Sequence, residues 1–447
     1  MNVLKFPYTA NIFKMDNSKI GILGAGIMGC CLALELAQRG HCVDLYELAS
    51  TPMTGASLNN EGKLHLGYVY AKDPIKDTHK LMIRGSLAFT RIIKKLTGQS
   101  VEALHPSEPF QYFIPNDSQL TMKEIFNHFN EVQLTIDQTI NATKDQYLNV
   151  SADTHFTRNS LNIHENYFSS KYTLGSFSTE ERSVSTSAVA NILTEAIKNQ
   201  KKINFIGNTQ VISASRLTTE EVEITVKNKG RTVVKRYQCV ANCLWDDKLR
   251  VDKTAGITNT GPWILRYKAM ISISASSIDL RLIPSATGIL GSFGDIVNHK
   301  NGTYYLSWYP LCKLADTLDG DGQKLHSRIH SLPARSVKRL LSGLPFLSEM
   351  VSSITHRKFI ENNILAMAKY IPSVEELLKY GTYYKLSGGV ILAKGATDID
   401  DPNSYLHQRS IIGPRAYGRY VTIDTGKYCT APLFALEAAD IITEIIL

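Results

Sequence analysis

KIGILGAGIMGCCLALELAQRGHCVDLYE, residues Lys19–Glu47, decides how the rest of this chain is read. It opens with a short apolar run, Ile20–Leu23, that suits a buried parallel strand. Gly24-Ala25-Gly26-Ile27-Met28-Gly29 follows with the G-x-G-x-x-G spacing. A helix-compatible segment then runs to Arg39, Gly40 stops it, and Cys42–Tyr46 reads as a second strand ending at Glu47. These residue types suit an adenine dinucleotide. Gly24 permits the tight turn, Gly26 lets the backbone approach a pyrophosphate, and Gly29 lets helix and strand pack closely. The helix N-terminus offers free N–H groups and partial positive charge to phosphates. Glu47 lies where a carboxylate accepts hydrogen bonds from ribose hydroxyls. Strand, helix, second strand and acid occur together, which a chance glycine turn does not explain. The stretch alone does not separate FAD from NAD.

With 447 residues the chain is long enough for two or three units, interleaved or in series. Its 43% hydrophobic and 20% charged residues describe a globular protein. A net charge of +8 is modest; it is compatible with an anionic substrate or a surface that tolerates nucleic acid, simple solubility being the plainer reading. No Lys/Arg block is dense enough for a nucleic-acid arm, so a small-molecule substrate is expected and no nucleic acid. The seven cysteines, Cys30 and Cys31 adjacent, are not a disulfide framework and suit a reducing compartment. The first eighteen residues hold no apolar signal core, and no run of about eighteen apolar residues occurs. The expectation is a cytoplasmic protein with no transmembrane segment and a loosely held N-terminal extension.

Beyond Glu47, Leu48–Leu66 is rich in Gly, Ser and Asn and gathers Asn59, Asn60, Lys63 and His65, which favours a functional loop over a plain surface turn. A helix is expected from Asp73 to Leu96, with Leu81, Ile83, Leu87, Phe89 and Ile92 on its apolar face. From Gly98 to Ser178 the pattern is poor, with strand-like pieces such as Phe110–Ile114. Ser185–Asn199 regains helical period, and Ile203–Ile206 and Thr209–Ser213 read as strands of the first sheet. Glu221–Val226 and Arg231–Cys239 alternate like a hairpin on its flank, followed by Val240–Leu244. Gly261–Ser274 and Gly302–Tyr309 are strand-like, and Arg328–Leu347 looks helical and basic. Near Tyr384 the chain is expected to return to the nucleotide domain, Gly388-Gly389 opening a strand Val390–Ala393. Thr430–Leu447 closes it as a helix with Thr430 as N-cap and Pro432 in the first turn.

This order of pieces resembles the D-amino-acid-oxidase-like (DAO) superfamily of FAD-dependent oxidoreductases, with relatives such as glycine oxidase, sarcosine oxidase, and glycerol-3-phosphate and 2-hydroxyglutarate dehydrogenases. Gly24–Gly29 with Glu47, then Gly55-Ala56-Ser57-Leu58-Asn59-Asn60-Glu61-Gly62-Lys63, and finally Thr425-Gly426-Lys427 carry the resemblance; Ser185–Ser213 is similar to the family's helix and strand before the adenine-side loop. The resemblance implies an α/β fold in which a Rossmann-like FAD-binding domain (17–98, 179–255 and 385–447) is interleaved with a strand-rich α+β substrate domain (99–178 and 256–384). It also implies FAD lying extended. The pyrophosphate would sit at Gly26, Ile27, Met28 and Gly29, with Asn242 lining that side. The ribose would lie at Glu47, the adenine at the Val211 backbone, and the flavin edge near Ala56, Ser57, Asn60, Gly62 and Lys63. Gly426 and Lys427 would face the pyrimidine ring. Physical chemistry supports that last placement. Reduced flavin is negative near N1 and the C2 carbonyl, where a helix starting at Thr430 and the Lys427 charge are favourable. An ordinary solvent-facing cap is the competing reading.

The expected chemistry is hydride removal from a C–H next to nitrogen or oxygen of a small, acidic amine, amino acid or 2-hydroxy acid, with oxygen or a quinone as the final acceptor. Arg409 is the preferred carboxylate clamp, because guanidinium pairs bidentately and its loop precedes the Gly-Lys segment; a structural ion pair is equally open. His65 is the candidate base and Lys63 its neighbour over the ring, a structural histidine being the alternative. Tyr305 is the aromatic candidate, although strand alternation puts only half of Tyr304, Tyr305 and Trp308 on one face. Arg266 and Tyr267 sit on another candidate strand. Cys312 and His65 are the positions considered for a covalent flavin link. No metal is expected: His326 and His330 lack a Glu beside the first His and a third ligand. Two rival readings stay open: an NAD-dependent 3-hydroxyacyl-CoA-type dehydrogenase, and a flavoenzyme that modifies RNA.

Overall fold

The computed structural model describes residues 19–150, 152, 154–217, 220–259, 261–275, 282–317 and 354–447. The expected N-terminal extension, the helix Arg328–Leu347 and the pair His326 and His330 lie outside the described residues.

Lys19–Leu23 forms strand β1, Ile27–Gln38 helix α1 and Cys42–Tyr46 strand β2. β1 pairs in parallel with β2 on one side and with the strand Cys239–Asn242 on the other. Ile203–Ile206 extends the sheet beyond β2, and the hairpin Gly413–Tyr417/Tyr420–Asp424 closes its other edge, giving six strands. α1 is buried from Ile27 to Ala37, covered by the helices Thr186–Asn199 and Ala431–Ile446. A helix enclosed on every side needs an apolar surface all round, which is why its sequence lacks a polar face. Its one buried acid, Glu35, is neutralised by Arg39 at 2.9 Å and Lys95 at 2.7 Å.

Lys63–Leu64 forms the two-residue strand β3, antiparallel to Arg182–Ser183. Helix α2 is Thr78–Thr97, starting five residues after the expected Asp73. Asp73 is spent on the turn before it, accepting the backbone N–H of Ile75 at 3.1 Å and of Thr78 at 2.8 Å. After β4 (Phe110–Pro115) comes α3, Met122–Thr143, a helix in the stretch whose pattern reads as poor. A capping box of Thr121 with Glu124 starts it, and Ile125, Phe129, Val132 and Ile136 form its buried stripe. The stripe is one residue wide, so the polar remainder hides it.

A nine-stranded sheet holds β4 together with Phe156–Arg158, Thr173–Thr179, Trp263–Ser274, Ser285–Gly288, Gly294–Asn298, Thr303–Trp308, Lys313–Thr317 and Tyr383–Lys394. Two expectations are corrected here. Tyr383–Lys394 is one long strand pairing along its whole length with Trp263–Ser274, so the chain is still in this sheet after 385 and rejoins the six-stranded sheet only at Gly413. Gly388 and Gly389 lie mid-strand because Tyr267 and the loop at Ala56–Asn59 press against them, not because they open it. Thr209–Arg216 likewise leaves the first sheet. The chain turns at Asn208, φ 53°, and joins an antiparallel three-stranded sheet with Val222–Asn228 and Arg231–Tyr237.

Cross-strand register in the nine-stranded sheet puts Arg266, Lys268, Tyr305, Asp295, Thr287 and Tyr112 on one face. The opposite face carries Ile271, Ile273, Tyr304, Leu306, Ile296 and Phe113, packed under the helix Ile354–Ala368. One face is therefore oily and sealed, and the other carries charge toward the loop after β2.

Candidate active site

Each glycine of the turn after β1 has a visible task. Gly24 has φ 93°, a left-handed conformation that side chains resist. A Cβ on Gly29 would collide with Gly24 O, so helix and turn touch there. Gly26 has an ordinary φ of −71°, but a Cβ on it would lie 2.9 Å from Ser57 Oγ. That hydroxyl accepts the Ile27 N–H at 2.9 Å, docking the loop after β2 on the start of α1. No N-cap side chain closes this helix end, and with the Ile27 N–H taken by Ser57 the N–H groups of Met28 and Gly29 are the ones left to an anion. Glu47 follows β2, its carboxylate accepting the N–H of Ala25 at 2.9 Å and of Ala49 at 3.0 Å. Burial raises its pKa, with those amides working against the rise. A glycine cradle that a Cβ would fill, an open helix start and an acid beside the turn fit an adenine dinucleotide.

Two expected cofactor residues are otherwise engaged. Val211 O accepts Arg250 Nη2 at 2.7 Å. The side chain of Asn242 is committed inward. Its Nδ2 reaches Lys248 O at 3.1 Å, Asp252 Oδ1 at 2.8 Å and Tyr420 OH at 2.9 Å, while its Oδ1 accepts the Leu244 N–H at 3.1 Å. Asn242 thus shapes the turn that ends its strand, and only its backbone is left for a ligand.

The loop from Thr54 to Gly62 is held by its own amides. Asn59 Nδ2 donates to Gly55 O at 3.0 Å, and Asn60 Nδ2 to Ala56 O at 2.8 Å. Asn60 Oδ1 accepts the Gly62 N–H at 2.7 Å, which bends the chain into β3. Asn60 therefore builds the loop, and Ala56 abuts Gly389 of the opposing strand.

Beyond the loop lies a group of cations. Lys63 is 2% exposed and donates to Thr287 Oγ1 at 2.5 Å, with Asp295 at 3.3 Å and Glu181 at 3.9 Å. Lys268 meets the other Asp295 oxygen at 3.4 Å. Burial alone would raise the Asp295 pKa, but Lys63 and then Lys268 outweigh it and hold the carboxyl well below its usual range. Lys63 and His65 do share a face, and Glu181 occupies it: His65 Nδ1 lies 3.8 Å from the same carboxylate. Lys63 is thereby a strut of an ion network rather than a free ammonium.

His65 is 5% exposed, and its Nδ1 makes no hydrogen bond. Burial pushes its pKa well below the ordinary histidine range, and the charges of Lys427, Lys63, Arg409 and Lys268 push the same way. The ring is neutral and beside the cations. Its ring centroid lies 5.9 Å from that of Tyr70, whose buried hydroxyl is also without a partner. Arg409 is 8% exposed; its Nη1 donates to Gly426 O at 3.2 Å and its N–H to Thr78 Oγ1 at 2.7 Å. Among the described residues no carboxylate stands within ion-pair reach of it. Burial lowers its pKa, with Tyr70, Arg266, Asp424 and Tyr309 the charged or titratable groups it feels most. Lys427 keeps part of its surface open, yet is ringed closely enough that lost hydration, then Arg409, pulls its ammonium down to about 8. Gly426 has φ 65° and lies against Ile412. Tyr305 is buried on the charged sheet face near Lys268, and burial raises its phenol.

The structure sets His65 near Arg409 and Lys427, and Tyr305 near Lys268, with Tyr70, Glu181, Lys268 and Asp295, which the sequence did not single out, among them. Glu181 and Asp295 carry no local motif; only the strand alternation around Asp295 and Lys268 hinted at a shared face. Cys312 is buried and donates to Asn363 Oδ1 at 3.1 Å, and all seven cysteines are unpaired. Among the described residues no group of His, Cys, Asp or Glu is placed to hold a metal ion, and no helix is long and apolar enough to cross a membrane.

Residues 19–251 match the family FAD dependent oxidoreductase, DAO. The fold is similar to glycine oxidase from Geobacillus kaustophilus (13% identity, 96% of this chain and 95% of that one, TM-score 0.60). It is similar to L-alpha-glycerophosphate oxidase from Mycoplasma pneumoniae, solved with FAD bound (13% identity, 96% and 95%, TM-score 0.62). It also resembles L-proline dehydrogenase from P. horikoshii (14% identity, 96% and 94%, TM-score 0.59). No curated protein matches by sequence.

Proposed function

Because the chain belongs to the DAO family of FAD dependent oxidoreductases, we propose that it oxidises a small anionic amine, amino acid or 2-hydroxy acid at the C–H beside its nitrogen or oxygen. The observation that carries this reading is Arg409, a buried guanidinium without a carboxylate in ion-pair reach among the described residues. Leaving a buried charge unpaired costs on the order of 3–5 kcal/mol, which an anionic ligand removes. An acidic substrate supplies that ligand, and the fork of N–H donors fixes its orientation.

When bound, FAD supplies the hydride acceptor. Gly26, Ile27 and the start of α1 would hold its pyrophosphate, Glu47 its ribose, and Ala56–Gly62 with Gly426 and Lys427 its ring. Arg409 binds the substrate carboxylate. His65, kept neutral by burial, takes the proton from the substrate nitrogen or oxygen on its imidazole ring. Tyr70 OH donates to the substrate from the same side. Tyr305, buried on the charged sheet face, keeps water from that side of the site. Lys427 places positive charge where the reduced cofactor gathers negative charge. Unpaired cysteines throughout suit a cytoplasmic setting.

The test is an absorbance spectrum of the purified protein, with bands near ~375 and ~450 nm for flavin. Anaerobic bleaching by acidic amines or hydroxy acids, and return of colour with oxygen or a quinone, would identify substrate and acceptor. Bleaching only by uncharged substrates would overturn the reading.

A further inference from the structure

Arg266 lies on the charged sheet face two residues from Lys268 and is 3% exposed. Its Nη1 meets Asp398 Oδ1 at 2.9 Å and donates to Tyr309 OH. Its Nε is buried and makes no hydrogen bond. Tyr309 OH donates to Asp398 Oδ1 at 2.6 Å, and Lys313 Nζ meets Asp398 Oδ2 at 2.6 Å. A guanidinium, an ammonium and a phenol thus surround one carboxylate, the donor set that recognises carboxylates and phosphates.

Asp398 Oδ1 also accepts the Ile399 N–H at 2.8 Å, but the guanidinium side of the contact is incomplete. Asp398 engages the guanidinium through Nη1 alone, although guanidinium prefers two parallel bonds and Nε stands unused. Lys313 has a second carboxylate, Asp316 at 3.1 Å; Arg266 has no other among the described residues. Asp398 rides on a loop that begins at Gly395, φ 122°, and leads to Arg409. Gln119 Nε2 latches that loop at Ile399 O (3.1 Å) and Asp400 O (3.2 Å), and Ser292 Oγ bonds the Asp400 carboxylate. Arg266 and Tyr309 are also among the groups that Arg409 feels most strongly.

We propose that Arg266, Tyr309 and Lys313 form a second anion subsite beside Arg409, closed by Asp398 until a substrate bearing two acidic groups displaces it. The second group is a carboxylate or a phosphate, and no bond is made or broken at this subsite. The inference rests on Arg409 holding the first acidic group.

The experiment titrates the FAD-loaded protein with acetate, with the dicarboxylates malonate, succinate and glutarate, and with glycerol phosphate. Binding is read from flavin difference spectra and from thermal shift, neither of which needs turnover. Dianions should bind about tenfold or more tightly than acetate. Asp398→Asn should strengthen dianion binding several-fold with acetate unchanged. Arg266→Lys, which keeps the charge should Arg266→Met fail to fold, should erase the preference. A preference for dicarboxylates or for the phosphate identifies the second group. Acetate binding with no dianion preference would overturn the second subsite and leave the Arg409 reading standing. Absence of binding by any of these anions would overturn both.

Discussion

The Ile27 N–H donates to Ser57 Oγ at 2.9 Å, and the Cβ missing from Gly26 would lie 2.9 Å from the same oxygen. The open start of α1 and the loop after β2 are therefore one joint, and Gly26 is the space between them. Because φ at Gly26 is −71°, alanine fits the backbone there. Its Cβ must still push the Ser57 hydroxyl aside, so Gly26→Ala should cost the apoprotein about 1–2 kcal/mol. It should weaken FAD binding by tenfold or more on the order-of-magnitude scale of a lost phosphate approach. Gly29→Ala should instead destabilise the fold by about 2–4 kcal/mol, since its Cβ meets Gly24 O. Urea unfolding of the apoproteins with FAD fluorescence titration separates the two; equal losses of stability in both variants would sink the distinction.

Arg409 lacks a protein carboxylate, so its removal should cost substrate binding more than folding. Arg409→Lys should raise KM for the acidic substrate by about 10- to 100-fold, the worth of a charge-assisted bidentate contact, with a smaller fall in kcat. The flavin spectrum should be retained. Steady-state kinetics decide it, and an unchanged KM removes Arg409 from the site.

His65 is the candidate proton acceptor. His65→Gln should lower kcat by about 10²- to 10⁴-fold, the usual range for a positioned general base, while dianion and FAD binding persist. Because burial and the neighbouring cations keep the ring neutral, activity in the unmodified protein should show no His65 titration between pH 6 and 8 on the ordinary histidine scale of about 6.5. A full-activity His65→Gln enzyme assigns the ring a packing role.

What the sequence made legible was contiguous in the chain. Gly24, Gly26, Gly29 and Glu47 lie within one strand–helix–strand unit, so their tasks follow from spacing alone. Arg409 and Lys427 drew attention because each lies beside a recognisable turn or helix start. Glu181 and Asp295 did not. Each meets Lys63 only through an ion pair to a residue more than a hundred positions away in sequence, and nothing local marks them. The same cause misplaced Tyr383–Lys394. A strand's residues state that it is a strand, while its partner is settled by tertiary register, here twelve pairs with Trp263–Ser274. Asn242 shows another limit. Its position matched, but its amide is consumed by Lys248, Asp252, Leu244 and Tyr420.

Lys63 was expected over the flavin ring and is found bound to Thr287 and Asp295, with Glu181 and the Phe110 ring beside it. Lys63→Met should therefore destabilise the protein by about 3–5 kcal/mol, because Asp295 and Glu181 lose a buried counter-charge. For variants that still fold, KM should hold. Denaturant unfolding checks the first part, and a fully stable variant with lost activity would restore the catalytic reading.

Lys427 gives the pH prediction. Its ammonium is pulled to about 8 by lost hydration and by Arg409, against about 10.4 for an unfolded lysine. Below pH 8 both states hold the proton, and the folded state carries the cost of the buried charge. Between the two values the unfolded chain binds more protons than the folded one, so stability from this group rises with pH across that window. Lys427→Met should make the apoprotein more stable near neutrality and flatten the rise between about pH 8 and 10.4. Bound FAD should move the window upward, because negative charge next to Lys427 favours its protonated form. Urea unfolding of apoprotein, FAD-loaded protein and variant at half-unit pH steps measures both effects. An apoprotein profile that the substitution leaves unchanged would show that Lys427 is solvated and does not face the ring site.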